Sequence, residues 1–190
     1  MAMGHVILKE YYLERQVPYF EDYARQYTDM PFLVKIEKEN GRYVAGRMVR
    51  ASYLADNNRK EANADSKPVL IDEKTGSLVV PNGTIGSRWD QSGRWNLEMK
   101  DVITGKEIRP QLSVMSNRDE VVELSLPYFG GATYRHSHFN ASTHSDIITR
   151  KIPVRKSPDG DFLYCTVFDL LVANYGISRG FDDENAATAF

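Results

Sequence analysis

Hydrophobic positions in the first 31 residues recur at helical spacing, and no other long stretch of the chain shows this pattern. Apolar side chains return every three or four residues before Pro18, and a second set runs from Tyr19 to Tyr27. Pro31 is expected to end the second helix, because the residue before a proline avoids the α conformation. The pattern predicts a helical segment over residues 1–31 whose aromatic side chains pack into a core.

Beyond Pro31 the pattern changes to short alternating runs that are separated by turn-forming residues. An alternating run at residues 121–126 is one clear strand. The strongest turn signals are Asn40-Gly41, Thr75-Gly76, Thr104-Gly105 and the run from Ser157 to Gly160. Their regular spacing predicts a meander of antiparallel hairpins, although no sequence repeat is evident.

Apolar residues stop alternating between Val167 and Tyr175, which predicts a short helix that begins near Asp169. Gly176 suits the C-terminal cap of this helix. The expected fold class is α+β: an N-terminal helical segment packed on antiparallel β-hairpins, with a short helix near the C-terminus. We expect residues 1–31 and the strand-rich block 32–190 to form one domain.

Composition and charge narrow the function classes. The 190 residues carry a net charge of −2 without a basic run, which disfavours nucleic acid as a partner. No apolar stretch approaches the roughly 20 residues of a membrane helix, so direct membrane insertion is not expected. Cys165 is the single cysteine, so internal disulfides and an iron–sulfur centre held by this chain alone are excluded. Its apolar neighbours predict a buried, unreactive thiol.

The candidate chemistry in the sequence is sparse. His136, His138 and His144 fall in one loop with Asp146, a composition that can bind zinc or copper. Because the loop has no cysteine partner, adventitious metal binding by a surface loop explains this cluster better than a native site. No nucleophile with a neighbouring base can be identified, so we assign no catalytic residue and no metal ligand.

Several blocks of the sequence resemble a known family. MAMGHVILKE, YTDMP, VPNGTIGSRW, PYFGG and TVFDLLVANYG-x-x-RG occur in the order found in the catalytic α subunit of membrane-bound respiratory nitrate reductases. The resemblance covers nearly the whole chain, whereas residues 57–67 and 132–146 fit it poorly. It implies an internal fragment of that subunit, an expectation strengthened by a sequence that begins within a predicted helix.

The resemblance implies a parent enzyme that reduces nitrate to nitrite with electrons from quinol. Family members carry a molybdenum bis-molybdopterin guanine dinucleotide and a 4Fe-4S cluster, and nothing in this sequence matches their ligand motifs. The implied partners are the remaining domains of the α subunit, an iron–sulfur β subunit and a membrane haem γ subunit. The implied location is the cytoplasmic face of the cell membrane, and the opposite face is left open.

The two best-matching blocks supply His5 and Asn174 as candidate cofactor-binding residues. The alternative is that both are hydrogen-bonded structural residues. The isolated chain is expected to be catalytically silent. A rival interpretation is a stand-alone binding module that shares this domain's fold and presents its aromatic N-terminal helix to a partner. A metal protein built on the histidine loop is a third interpretation.

Overall fold

The computed structural model describes residues 2–54, 63–82, 99–127 and 147–181. The helices are α1 (Ala2–Leu8), α2 (Pro18–Tyr27) and α3 (Val167–Asn174), with a π-helical turn at Lys9–Glu14 and 3-10 turns at Ala51–Tyr53 and Met115–Asn117. The strands are β1 (Leu33–Glu39), β2 (Arg42–Met48), β3 (Leu70–Ile71), β4 (Leu78–Val79), β5 (Glu120–Pro127), β6 (Ile147–Lys156) and β7 (Leu163–Thr166). This arrangement confirms the α+β fold class.

Five strands close into a barrel in the order β1-β2-β5-β6-β7, while β3 and β4 form a separate two-stranded hairpin. Neighbouring barrel strands are antiparallel except β2 and β5, which run parallel, with Tyr43 opposite Leu124. The parallel pair differs from the predicted antiparallel meander. It arises because the long connection from β2 to β5 lets β5 enter the sheet in the same direction. Apolar side chains fill the interior, including Leu33, Ile152 and Cys165, none of which is exposed.

The predicted hairpin turns form where glycine allows a positive φ. Asn40 and Gly41, with φ values of 50° and 81°, connect β1 to β2. This geometry matches the right-handed twist of the two strands. Gly160, with a φ of 75°, similarly closes the turn between β6 and β7. These turns confirm the local predictions.

The N-terminal segment is helical as predicted, but only some of its aromatic surface is buried. Tyr12 packs edge-on against Phe168 with ring centroids 4.5 Å apart. Tyr19, Tyr23 and Tyr27, by contrast, are 79%, 51% and 48% exposed. Their spacing of four residues places them on one face of α2. The prediction of core packing was therefore wrong for these three tyrosines, whereas Phe20 and Ala24 of the same set do pack in the core.

Helix α3 begins at Val167, two residues before the predicted position. Thr166 caps it, because its hydroxyl accepts a hydrogen bond from the Asp169 amide at 3.1 Å. Gly176 follows the helix with a φ of 65° and donates its amide hydrogen to Ala173 O, as the predicted cap requires. Among the helices that the structure describes, none has the length and apolarity needed to cross a membrane.

Candidate functional site

The two candidate cofactor-binding residues lie close to one another, although they are far apart in sequence. His5, in α1, donates from Nδ1 to the carbonyl oxygen of Tyr175 at 3.1 Å. Asn174, the residue before Tyr175, is the last residue of α3 and is half-buried. The fold therefore joins the two sequence blocks that carry the family resemblance. The cofactor-binding role of His5 and Asn174 stays a prediction.

The contact between α1 and Tyr175 fixes the chemistry that His5 can present. Because its acceptor is a carbonyl oxygen, Nδ1 must carry the proton, and the neutral imidazole then has its lone pair on Nε2. Gly4 permits the close approach, since a Cβ at this position would lie 2.8 Å from Tyr175 Oη. His5 thus has the hydrogen bond expected of a structural residue and one ring nitrogen that can accept another.

A buried polar cluster surrounds the first turn of α3, and its members come from three separate segments. The Asp169 side chain is fully buried and accepts hydrogen bonds on both oxygens. Its donors are Ser113 Oγ at 2.7 Å, the Val114 amide at 2.9 Å, Thr166 Oγ1 at 2.8 Å and Arg179 Nη1 at 2.5 Å. Arg179 also donates from Nη2 to Ser113 Oγ at 2.7 Å.

This cluster is built for stability rather than for acid–base chemistry. Each Asp169 oxygen receives two donors, so the carboxylate has little capacity left to accept a proton from a substrate. Ser113 Oγ is similarly occupied, because it donates to Asp169 and accepts from Arg179 and the Met115 amide. No pattern in the sequence marks this cluster as a whole. The Thr166-x-x-Asp169 spacing, a known helix-start signal, marked half of it.

Burial makes the nearby titratable groups unreactive. Cys165 is fully buried, and desolvation raises its thiol pKa well above the ordinary value, with the Asp169 carboxylate adding to the effect. The prediction of a buried, inert thiol is therefore confirmed. Desolvation likewise raises the pKa of Tyr12 to about 12, and the carboxylates of Glu21 and Asp169 contribute.

A second charged cluster fastens α2 to the hairpin of β3 and β4. Arg25 is 6% exposed and forms a two-pronged hydrogen bond with Glu73, with both distances at 3.0 Å. Glu73 also pairs with Arg109 at 2.7 Å, and Arg25 also approaches Glu21 at 3.4 Å. Arg25 is therefore a buried cation that depends on carboxylates, whereas Glu73 remains partly hydrated.

We expect the loss of Glu73 to lower the stability of the protein more than the loss of Arg25. Glu73→Ala leaves a buried guanidinium that has lost its main partner, so it should lower the free energy of unfolding by about 2 kcal/mol. Arg25→Met keeps the apolar packing and leaves Glu73 with Arg109, so about 1 kcal/mol is expected. Urea denaturation of both variants measures the difference, with the exposed Glu39→Ala as control. A larger loss for Arg25→Met would contradict this interpretation.

The described residues do not fit the metal centres implied by the resemblance. None of their His, Cys, Asp and Glu side chains form a group of three or more that could hold a metal ion. Cys165, the single thiol, is enclosed in the barrel. The histidine loop with His136, His138, His144 and Asp146 lies outside the described residues, as do the poorly matching stretch 132–146 and most of 57–67.

No protein-family model matches this chain. Several individual proteins are similar to it over nearly its whole length. It is 45% identical to the respiratory nitrate reductase 1 alpha chain of Escherichia coli K12, over 100% of this chain and 15% of the relative. It is 43% identical to the nitrate reductase alpha chain of Bacillus subtilis, over 99% of this chain and 14% of the relative. It is 42% identical to the nitrate reductase alpha subunit of Mycobacterium tuberculosis H37Rv, over 94% of this chain and 14% of the relative.

The alignment with the Escherichia coli relative covers the whole chain. Because nitrate reductases are oxidoreductases, the chain is homologous to a portion of an oxidoreductase. Within that class it corresponds to a segment of the nitrate reductase alpha chain, which confirms the resemblance seen in the sequence motifs. The chain spans about 15% of the length of the curated relatives that it matches.

Proposed function

We propose that this chain is a scaffold portion of the α subunit of a respiratory nitrate reductase and that it does not reduce nitrate by itself. The observation that carries the proposal is the identity of 45% over the full chain to a protein of this kind. The inert Cys165 and the saturated Asp169 cluster agree with a structural role. The helical segment (residues 1–31) and the strand-rich block (residues 32–190) then belong to one domain of the larger enzyme.

The exposed aromatic face of α2 supports this proposal. Tyr19, Tyr23 and Tyr27 form a stripe on the solvent side of the helix, and the rings of Tyr23 and Tyr27 lie 5.3 Å apart. Tyrosines in such an array are characteristic of interfaces, because they bury a large apolar area and keep a hydroxyl for hydrogen bonding. The remainder of the α subunit would cover this stripe.

The cofactors and partner subunits belong to the rest of the enzyme in this proposal. The parent would reduce nitrate to nitrite at a molybdenum bis-molybdopterin guanine dinucleotide, with electrons arriving from quinol through iron–sulfur clusters. The β and γ subunits would associate with the α subunit and hold it peripherally at the membrane, on the cytoplasmic face. His5 and Asn174 would be this chain's approach to the cofactor, through the second ring nitrogen and the side-chain amide.

A chimera tests the proposal. This chain replaces the matching segment in the respiratory nitrate reductase 1 alpha chain of Escherichia coli, in cells that lack their own nitrate reductases. We expect the chimera to restore nitrite production, because scaffold residues tolerate replacement by a homologue, and we expect the purified chain alone to produce none. The matched control carries the equivalent segment of the respiratory nitrate reductase 2 alpha chain, a relative 44% identical to this chain.

An active control beside an inactive chimera would contradict the scaffold assignment. It would favour a stand-alone binding module whose tyrosine stripe contacts a partner protein. Tyr19→Ser combined with Tyr23→Ser refines the test. Because both side chains are exposed, the isolated chain should unfold with nearly unchanged stability, within about 1 kcal/mol. The chimera that carries the two changes should lose nitrite production, since the packed interface would be incomplete.

A further inference from the structure

Two stretches of the chain, residues 72–81 and residues 101–110, share Asp, Thr, Gly and Pro at their first, fourth, fifth and tenth positions. The sequences are DEKTGSLVVP and DVITGKEIRP, and an offset of 29 residues (101 minus 72) superimposes them. The residues between the two stretches and the variable positions within them make this similarity hard to see in the sequence. We call the two stretches hairpin A (72–81) and hairpin B (101–110).

The two hairpins have the same internal geometry. In hairpin A, Asp72 Oδ2 accepts hydrogen bonds from the Thr75 amide at 3.1 Å and the Thr75 hydroxyl at 2.8 Å. In hairpin B, Asp101 Oδ2 accepts the equivalent pair from Thr104 at 3.0 and 2.7 Å. The glycine that follows each threonine has a φ of 70° in hairpin A and 68° in hairpin B. Each aspartate therefore closes its own turn with one oxygen.

The second oxygen of each aspartate reaches across to the other hairpin. Asp72 Oδ1 accepts the amide hydrogen of Arg109 at 2.9 Å, and Asp101 Oδ1 accepts that of Val80 at 3.2 Å. Arg109 and Val80 are equivalent positions, since both follow their own aspartate by eight residues. A simple translational repeat would give contacts in one direction, so this exchange indicates a pseudo-two-fold relation.

The backbone contacts repeat the exchange. The amide of Glu73 donates to Arg109 O at 2.7 Å, and that of Val102 donates to Val80 O at 2.8 Å. One step further out, Gln111 N donates to Ile71 O and Asn82 N to Lys100 O, both at 2.9 Å. Each of these backbone bonds from hairpin A to hairpin B thus has a partner that runs from B to A under the same offset.

Both aspartates are 4% exposed, so their hydrogen bonds lie in a desolvated region. For Asp72, burial by itself would raise the pKa, but the hydrogen bonds from Arg109, Thr75 and Lys74 outweigh it and hold the pKa below its ordinary value. The carboxylate is therefore the form that closes the hairpins. Removing one aspartate therefore breaks the hydrogen bonds within its own turn and also its hydrogen bond to the other hairpin.

We propose that hairpins A and B form a reciprocal latch, a conformational device whose two halves open and close as one cooperative unit. Both turns line an open cleft of about 910 Å³, and barrel residues that include Arg155 and Tyr164 line the same cleft. The latch therefore forms part of one wall of this cleft. This inference is independent of the proposed nitrate reductase function.

Amide hydrogen exchange of the full chain tests the latch. Asp72→Ala removes the acceptor of the Arg109 amide directly, so exchange at Arg109 should accelerate by about tenfold or more. If the latch is cooperative, the Val80 amide should accelerate by a similar factor, although its acceptor, Asp101, is intact. Asp101→Ala should produce the converse result. The exposed Asp159→Ala is the matched control and should change neither amide.

Acceleration at Arg109 alone would overturn the proposal, because the hairpins would then open independently. Equal acceleration at Leu124 in the barrel would overturn it as well, since the latch would not be a separate unit. Should Asp72→Ala fail to fold, Thr75→Val gives the second test. It removes the hydroxyl bond to Asp72 and the acceptor of the Ser77 amide in the same turn, and it leaves both aspartates in place. The Arg109 and Val80 amides should again accelerate together.

Discussion

Replacing Asp169 by alanine is expected to lower the free energy of unfolding by about 3–5 kcal/mol, the range seen when one partner of a buried ion pair is removed. The substitution leaves the Arg179 guanidinium, whose side chain is 6% exposed, without its carboxylate. It also leaves the Val114 amide and the Thr166 hydroxyl without their acceptor. Each unsatisfied buried donor adds a desolvation cost.

Thermal and urea denaturation measure this loss, which corresponds to a decrease in Tm on the order of 10 °C for a chain of this size. Arg179→Met provides the matched comparison, because it removes the cation and retains an apolar side chain. The double variant should lose clearly less free energy of unfolding than the two single variants lose in sum. Once Asp169 is absent, removing Arg179 also removes an uncompensated buried charge. Additive losses, or a loss below about 1 kcal/mol for Asp169→Ala, would show that the pair is not coupled in this way.

Replacing Phe168 by alanine is expected to have an effect of comparable size, about 3–5 kcal/mol. Phe168 is fully buried and packs edge-on against Tyr12, in a cluster that joins the N-terminal segment to α3. The cavity left by the ring would lie where these elements meet, and close-packed neighbours can fill it only partly. The comparison variant is Phe162→Ala, which truncates a half-buried ring and should cost less than half as much.

The ionisation of Tyr12 gives a second, independent measurement of the same change. Burial raises the pKa of Tyr12 from 10.0 to about 12 in the intact protein. A cavity beside its ring would admit water and relieve this desolvation, so ultraviolet titration of the folded Phe168→Ala variant should place the Tyr12 pKa nearer to 10. An unchanged pKa with nearly unchanged stability would mean that the cluster repacks without a cavity.

Features set by neighbouring residues were predictable from the sequence. The turn at Asn40-Gly41 and the cap at Gly176 form as expected, because a positive φ strongly favours glycine or asparagine at those positions. The alternating run at residues 121–126 lies within strand β5, since its period of two suits a strand with one face in a core. Each of these predictions depends only on residues a few positions apart.

Features that depend on distant residues were not predictable in the same way. The parallel pairing of β2 with β5 follows from how the barrel closes, and alternation in either strand is compatible with both directions. The exposure of Tyr19, Tyr23 and Tyr27 depends on which face of α2 meets the rest of the chain. A helical period shows that aromatic residues share a face but does not show what that face contacts.

In the candidate site too, some features were predictable from the sequence and others depended on the fold. Family motifs in the sequence pointed to His5 and Asn174, and the structure brought their two segments together through the bond from His5 to Tyr175. The ion pair of Asp169 with Arg179 and the reciprocal hairpin contacts were missed, because the individual residues carry no sign of their partners. A charged residue in a sequence is ordinarily expected at the surface, and only packing shows that it is buried.

By itself, the sequence determined the helical start, the order of strands and turns, and the relation to nitrate reductase alpha chains. Local backbone preferences and the identity of motifs are properties of short stretches, so they do not depend on how the chain folds. The tertiary structure decided the closure of the barrel, the exposed tyrosine face, the buried Asp169 cluster and the pairing of hairpins A and B. These arise from hydrogen bonds and packing between segments tens of residues apart, whose partners are selected only when the whole chain has folded.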